Sequence, residues 1–315
     1  MTPFDLTVMM YHYVRDAGDE AERNTGIPGM AVSTFEAQLD FLTENYNLIS
    51  WPMLREFLTY GTALPAHACM LTFDDGVSDH YVNVFPALQR RDLSGLFFAL
   101  ARSAGMPLTL AHKIHFLLAR LGIQELREAY IEQLDPAQRL AFELADARYR
   151  PNLDAHSIPD EIDIFKLVLQ RELSPISEPI LGGLFKLYIG PEIEIASQFF
   201  LKAEQIEQMA NGGMYFGGHS QSHPWFDWIS ADSQWKEIEA SRRWLAGLQP
   251  GLWPFAYPYG GLNDHSATYL QELGFLCAFT TKTQATHSDA YRIGRLDAEA
   301  FTTEMTALRP SGENS

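Results

Sequence analysis

Cysteine, long apolar runs and positive charge are all scarce in this chain. Only Cys69 and Cys277 are present among its 315 residues, each in an apolar stretch. Two thiols exclude a disulfide framework and a cysteine-rich zinc site, and in such surroundings they read as reduced packing residues. No stretch approaches the roughly 18 apolar residues of a membrane span. The N-terminus, MTPFDL, lacks the basic segment and apolar run of a secretory signal, so a cytoplasmic address is the expectation. Lys and Arg total 23 against 40 Asp and Glu, for a net charge of −17. That balance repels phosphate backbones and anionic lipid, which argues against nucleic-acid and membrane-surface partners and favours a neutral or cationic substrate. Internal repeats and low-complexity segments are lacking too, and nothing here fixes an oligomeric state.

With 46% apolar and 20% charged residues, the chain has material for a large core. Strand-like runs at 7–11, 68–73, 95–100, 213–217, 252–257, 275–280 and 291–296 alternate with helical patterns at 33–46, 82–90, 202–210, 232–247 and 264–273. Ser33 reads as the N-cap of the first helix, with Glu36 as its capping-box partner. Strands alternating with helices predict a parallel sheet with crossover helices, and about seven such units predict a distorted (β/α) barrel. Function in such barrels collects at the C-terminal ends of the strands. Residues 101–198 differ in texture, with helical patterns at 110–133, 136–147 and 162–172. The expected division is therefore a discontinuous α/β barrel over 1–100 and 199–300, a helical insertion over 101–198, and a tail over 301–315. His112 and His115, beside Phe116 and Leu117, read as partly packed histidines on a helix surface.

Three segments carry candidate chemistry. Thr72-Phe73-Asp74-Asp75-Gly76 closes an apolar strand with two carboxylates before a turn. Two acids at one site need a cation or a proton between them; an exposed acidic turn is the plainer alternative. His219-Ser220-Gln221-Ser222-His223 follows a strand, between two glycines and Pro224, and its spacing can bring two imidazoles to one ion. Phe255-Ala256-Tyr257-Pro258-Tyr259-Gly260-Gly261 is an aromatic strand end turning at Pro and Gly. Such a turn aims a backbone N–H into a pocket, or merely joins a strand to a helix. Trp225, Tyr257 and Tyr259 are aromatics that a sugar face could stack on, with packing as the equal alternative for Trp225.

In this order the three segments resemble the polysaccharide deacetylases, the carbohydrate esterase family that bears the nodulation-deacetylase homology domain. The resemblance covers about 6–100 and 200–297. It implies that Asp75, His219 and His223 hold one divalent metal, zinc first, with cobalt, nickel, iron or manganese as other candidates. It implies Asp74 as catalytic base, and Pro258 and Tyr259 at the oxyanion and substrate position. The family's common late Leu-x-His motif, which supplies a general acid, has no counterpart near 291–296. Met10-Tyr11-His12 instead resembles the circularly permuted branch that includes poly-N-acetylglucosamine deacetylases, which makes His12 the candidate acid and His287 its rival. The Arg that much of the family places before P-Y-G is also missing; Arg295 is the first candidate to orient the base and Arg292 the second, with an ordinary surface salt bridge as the plainer alternative. The expected reaction is metal-dependent removal of an N-acetyl group from an amino sugar or glycan. O-deacetylation or deformylation on the same site is one alternative, and a non-catalytic glycan-binding barrel is another.

Overall fold

In the computed structural model, which describes residues 6–16, 26–102, 105–149, 161–249, 251–282 and 289–302, the apolar runs become eight strands. They are β1 (Leu6–Tyr11), β2 (Asn47–Leu48), β3 (Ala68–Asp75), β4 (Leu96–Ala99), β5 (Tyr215–Gly218), β6 (Trp253–Ala256), β7 (Phe275–Phe279) and β8 (Leu296–Asp297). Every pairing is parallel. The order across the sheet is β7-β6-β5-β4-β3-β1-β8, with the short β2 beside the start of β3. The last described segment meets both edges: Ile293 bridges Phe279 of β7, and Leu296–Asp297 pair with Met9–Met10 of β1. This is the expected distorted barrel, with a two-residue final strand in place of one over 291–296.

Side-chain alternation along the strands sorts the residues into two layers. Ala68 and Met70 share an inner cluster with Leu6, Val8, Leu96, Phe98, Ala256, Phe279 and Ile293, drawn from strands all around the barrel. Cys69, Leu71 and Phe73 face the other way, into a cluster with Phe35, Leu39 and Leu88. Thr72 and Asp74 continue the parity of Met70 and so fall on the inner face.

The helices are α1 (Val32–Asn45), α2 (Trp51–Tyr60), α3 (Phe85–Gln89), α4 (Leu110–Glu132), α5 (Pro136–Tyr149), α6 (Glu161–Leu167), α7 (Ser174–Tyr188), α8 (Glu192–Phe199), α9 (Ala203–Asn211), α10 (Ala231–Ala246) and α11 (Asp264–Glu272). The expected cap of α1 is not the one used. The helix starts at Val32 from Ala31, the Val32 N–H is taken by Asp16 Oδ1 at 2.9 Å, and Glu36 pairs with Arg90 and Arg91. With its first amide already satisfied, α1 leaves Ser33 inside the helix. α4 is broken at Gly122, whose φ of 73° is left-handed. Prolines punctuate the stretch of α7 and α8, which the sequence pattern does not predict: Pro175 lies in the first turn of α7 and Pro191 at the N-cap of α8, where proline is compatible with a helix, while Pro179 is carried inside α7.

The helices from α4 to α8 build a core of their own, with Phe116, Tyr130, Phe142, Phe165 and Phe185 at its centre. Val77 and Leu100, from the loops that follow β3 and β4, belong to the same cluster. The helical layer therefore sits on the C-terminal mouth of the barrel. Among the described residues no helix is long and apolar enough to cross a membrane.

Candidate functional site

Asp74 is 2% exposed on the inner face of β3. Arg295 meets it as a fork, Nη1 to Oδ1 at 2.7 Å and Nη2 to Oδ2 at 2.7 Å. The guanidinium is itself buried, donates to the Thr280 carbonyl and Thr72 hydroxyl at 3.3 Å, and lies over the Phe98 ring. It can reach this far because the chain around it is pinned to β7 at Ile293 and to β1 at Leu296. Burial alone would raise the Asp74 carboxyl; Arg295 and then His219 more than offset it and hold the group below its ordinary value.

Asp75 and Gly76 both take left-handed φ, 73° and 67°. A side chain at Gly76 would bring its Cβ within 2.7 Å of the Ala99 Cβ, so the turn requires glycine. This turn re-aims Asp75. Its Oδ1 lies 3.5 Å from His219 Nε2 and 3.3 Å from His223 Nε2. Its Oδ2 lies 3.4 Å from His112 Nε2.

His219 follows β5. Its Nδ1 is 2.8 Å from the Ala256 carbonyl, which can only accept, so Nδ1 carries the proton and Nε2 of the neutral ring keeps its lone pair. The loop to His223 is stapled by Glu237 of α10, which accepts from the Gln221 and Ser222 amides at 2.7 and 2.9 Å. One ligand atom from each of Asp75, His219 and His223 lies within 4.8 Å of the others. Asp75 Oδ1 is buried without a hydrogen-bond partner among the described residues. A carboxylate oxygen facing two imidazole nitrogens, with water excluded, is a donor set that fits a cation. Burial would raise Asp75, yet the imidazoles of His112, His219 and His223 hold it well below the carboxylate range. Burial pushes His223 down to about 4 against the pull of Asp75, whereas Asp74 and Asp75 outweigh burial at His219 and raise it.

His12, just past β1, is half-exposed, with Nε2 3.8 Å from Asp74 Oδ2. His80 Nε2 is 3.0 Å from the His12 carbonyl and holds that backbone. The rival His287 lies outside the described residues. Pro258 is buried, and Tyr259 takes φ 57° and ψ 7° in a tight turn after β6. The Tyr259 ring packs edge-on to His223 at 4.5 Å and stacks on Trp225 at 4.4 Å. Of the seven described non-glycine residues with left-handed φ, Asp75, Ser220, His223 and Tyr259 are here. Such strain, on the order of 1–3 kcal/mol per residue, persists where the surroundings over-determine it and clusters at functional sites.

Two sequence expectations change. His112 is not a helix-surface residue: it is 1% exposed and faces Asp75, because α4 points its first turn into the mouth. Thr109 marks that turn, accepting the His112 N–H and lying 2.6 Å from its Nδ1, so the cap was the available signal. Tyr257 is fully buried against Phe226 and Phe255 and is not available to stack on a sugar. A cavity of about 350 Å³ opens beside His223, between barrel and helical layer, lined by Arg102, Gln221, Trp225, Trp228 and Tyr259. A smaller one, about 220 Å³, lies on the His12 side by Tyr13, His115 and Glu299.

The polysaccharide deacetylase family model matches residues 187–278, which include His219, His223 and Tyr259. YxkH of Bacillus subtilis (strain 168), assigned by name to the polysaccharide deacetylases, is 26% identical over 114 residues; the match spans 36% of this chain and 36% of that protein. Among solved structures, the Streptococcus pyogenes deacetylase PplD, determined with acetate, is similar at a TM-score of 0.57 and 17% identity, covering 98% of this chain and 100% of that one. IcaB from Ammonifex degensii is similar at 0.57 and 17%, covering 95% and 96%. A de-N-acetylase from Aggregatibacter actinomycetemcomitans is similar at 0.56 and 16%, covering 96% and 99%. These structural likenesses establish the fold. The chain thus matches the polysaccharide deacetylase family model over residues 187–278 and shares the fold of these deacetylase structures over nearly its whole length.

Proposed function

We propose that the chain is a hydrolase that uses one divalent metal ion to remove an N-acetyl group from an amino sugar or glycan. One observation carries this reading: a buried Asp–His–His cluster, an Arg-paired carboxylate and a half-exposed histidine share one barrel mouth. Asp75, His219 and His223 are the residues that would hold the ion. Zinc suits this set, and cobalt, nickel, iron and manganese accept similar donors. When bound, the ion polarises an acyl oxygen and lowers the pKa of a coordinated water towards about 7.

The remaining chemistry belongs to the chain. Asp74, kept ionised by Arg295, has a second lone pair on each oxygen and takes the proton of the attacking water. The turn at Tyr259 presents its backbone N–H to the developing oxyanion. His12, across from Asp74, gives a proton to the leaving nitrogen. The C–N bond breaks and a C–O bond forms; water supplies oxygen to acetate and hydrogen to the amine. Trp225 Nε1 and Asp227 Oδ1 are buried without hydrogen-bond partners among the described residues, and Trp225 lines the larger cavity. Unsatisfied polar atoms of this kind suit a hydroxyl-bearing substrate.

The test is incubation of metal-loaded protein with N-acetylated amino sugars and glycans, beside their O-acetyl and N-formyl counterparts, read by mass spectrometry and by acetate and formate release. The expected result is replacement of an N-acetyl by hydrogen, with one acetate per amine. Turnover confined to esters or formamides would move the reading to another leaving group. Binding without turnover would favour a glycan-binding barrel.

A further inference from the structure

His112 belongs to the helical layer, outside the family match at 187–278, yet it faces the Asp75–His219–His223 cluster. Its ring is held on every side: edge-on to Phe199 and Phe200 at 5.1 and 5.0 Å, and tilted to His223 at 6.1 Å. The Thr109 hydroxyl sits 2.6 Å from Nδ1. Nε2 is buried, has no hydrogen-bond partner among the described residues, and points at Asp75 Oδ2 from 3.4 Å. That distance is longer than an ordinary hydrogen bond and short enough for a small ring rotation to make one. Asp75 thus has two different faces among the described residues: Oδ1 towards His219 and His223, Oδ2 towards His112. His112 itself falls outside the group of atoms close enough to share one ion.

We propose that His112 is a positioning residue of the metal centre, reached through Asp75. Resting on the reading that Asp75, His219 and His223 hold the ion, it assigns the proton pattern of the neighbouring groups. The Thr109 O–H donates to His112 Nδ1, so the neutral ring carries its proton on Nε2 and donates it to Asp75 Oδ2. With Oδ2 engaged, Asp75 would turn Oδ1 to the ion that it, His219 and His223 would hold. A partner on the far oxygen of a ligating carboxylate sets its orientation and basicity, and losing such a partner typically costs 10–100-fold in metal affinity. The helical layer would in this way set the affinity of a site that the barrel motifs build.

The test is zinc affinity by chelator competition on the full chain, together with the visible spectrum of the cobalt-loaded protein. His112→Phe keeps the ring's shape among Phe199 and Phe200; His112→Gln restores a nitrogen donor near the position of Nε2. His112→Phe should still bind one equivalent of metal, about 10–100-fold more weakly and with an altered cobalt spectrum, and His112→Gln should recover most of the loss. Thr109→Val, which leaves the ring in place but removes the hydroxyl that sets its tautomer, should weaken binding in the same direction and covers the case in which His112→Phe does not fold. Wild-type affinity and spectrum in both His112→Phe and Thr109→Val would reduce His112 to packing and overturn the proposal. Complete loss of the bound equivalent in folded His112→Phe, as in His219→Ala, would make it a ligand and overturn it equally. Absence of metal from the wild-type chain in the same titration would instead defeat the metal site itself.

Discussion

Removing Arg295 would leave Asp74 as a buried carboxylate without its countercharge, a change that typically costs about 3–5 kcal/mol. The pH dependence follows from the sign of the shift. Asp74 is depressed when folded, so its pairing stabilises the fold above the unfolded value of about 3.9 and is lost as pH falls through the lower folded value. In Arg295→Met burial wins and the Asp74 pKa rises. The acid limb of the kcat/KM profile should move to higher pH, while Asp74→Asn should bind metal normally and lose turnover at every pH. An unmoved acid limb in Arg295→Met would contradict the assigned pairing. His12 makes a separable claim. His12→Ala should slow an amide substrate by about 10²–10⁴-fold and an activated ester much less, because only the amide nitrogen needs a proton to leave. Equal small effects on both substrates would return His12 to a surface role. Asp74, Asp75, His219 and His223 were legible because they close a strand or lie in the loop that follows one, beside glycines. Arg295 was legible only as a candidate, since its partner lies 221 residues away in sequence and only barrel closure brings the two together. His112 was misread as a helix-surface histidine because the helical pattern around it does not say which face meets the barrel, and only the Thr109 cap tells that this is the first turn of α4.

The loops after β3, β5 and β6 do the positioning, and they do it with left-handed backbone. Gly76 is the tightest case: φ is 67° and the neighbouring Ala99 leaves no room for a methyl group. Gly76→Ala should therefore combine backbone strain with overpacking, each on the order of 1–3 kcal/mol. The denaturant midpoint should fall, and Asp75 should lose its aim, with weakened metal binding before the fold is lost. A variant with unchanged midpoint and affinity would show that the turn is more forgiving than its geometry. The longer strands and their alternation with helices were readable because a parallel strand buried on both faces is a short apolar run between turn residues. Helices α7 and α8 were not, because prolines at helix starts look like breaks until the following turn is seen to continue.

Across the whole molecule, the barrel supplies the proposed metal ligands, the proposed base and its arginine, and the helical layer covers the mouth with its own aromatic core. We propose that residues 101–198 are an insertion into a barrel formed by 1–100 and 199–300, serving as wall of the larger cavity as well as support for Asp75. A bound ion would tie β3 to the loop after β5, so metal should stabilise the folded chain. At a free metal concentration 100 times Kd the gain is about 2.7 kcal/mol, visible as a higher Tm. The most direct measurement of the central claim is paired: metal content by elemental analysis and deacetylation of an N-acetylated amino-sugar substrate, before and after chelator stripping and zinc return. The account predicts one equivalent of metal, activity that disappears with it and comes back with zinc, and neither metal nor activity in His219→Ala or His223→Ala. Full activity in the stripped chain, or full metal occupancy in either histidine variant, would contradict it.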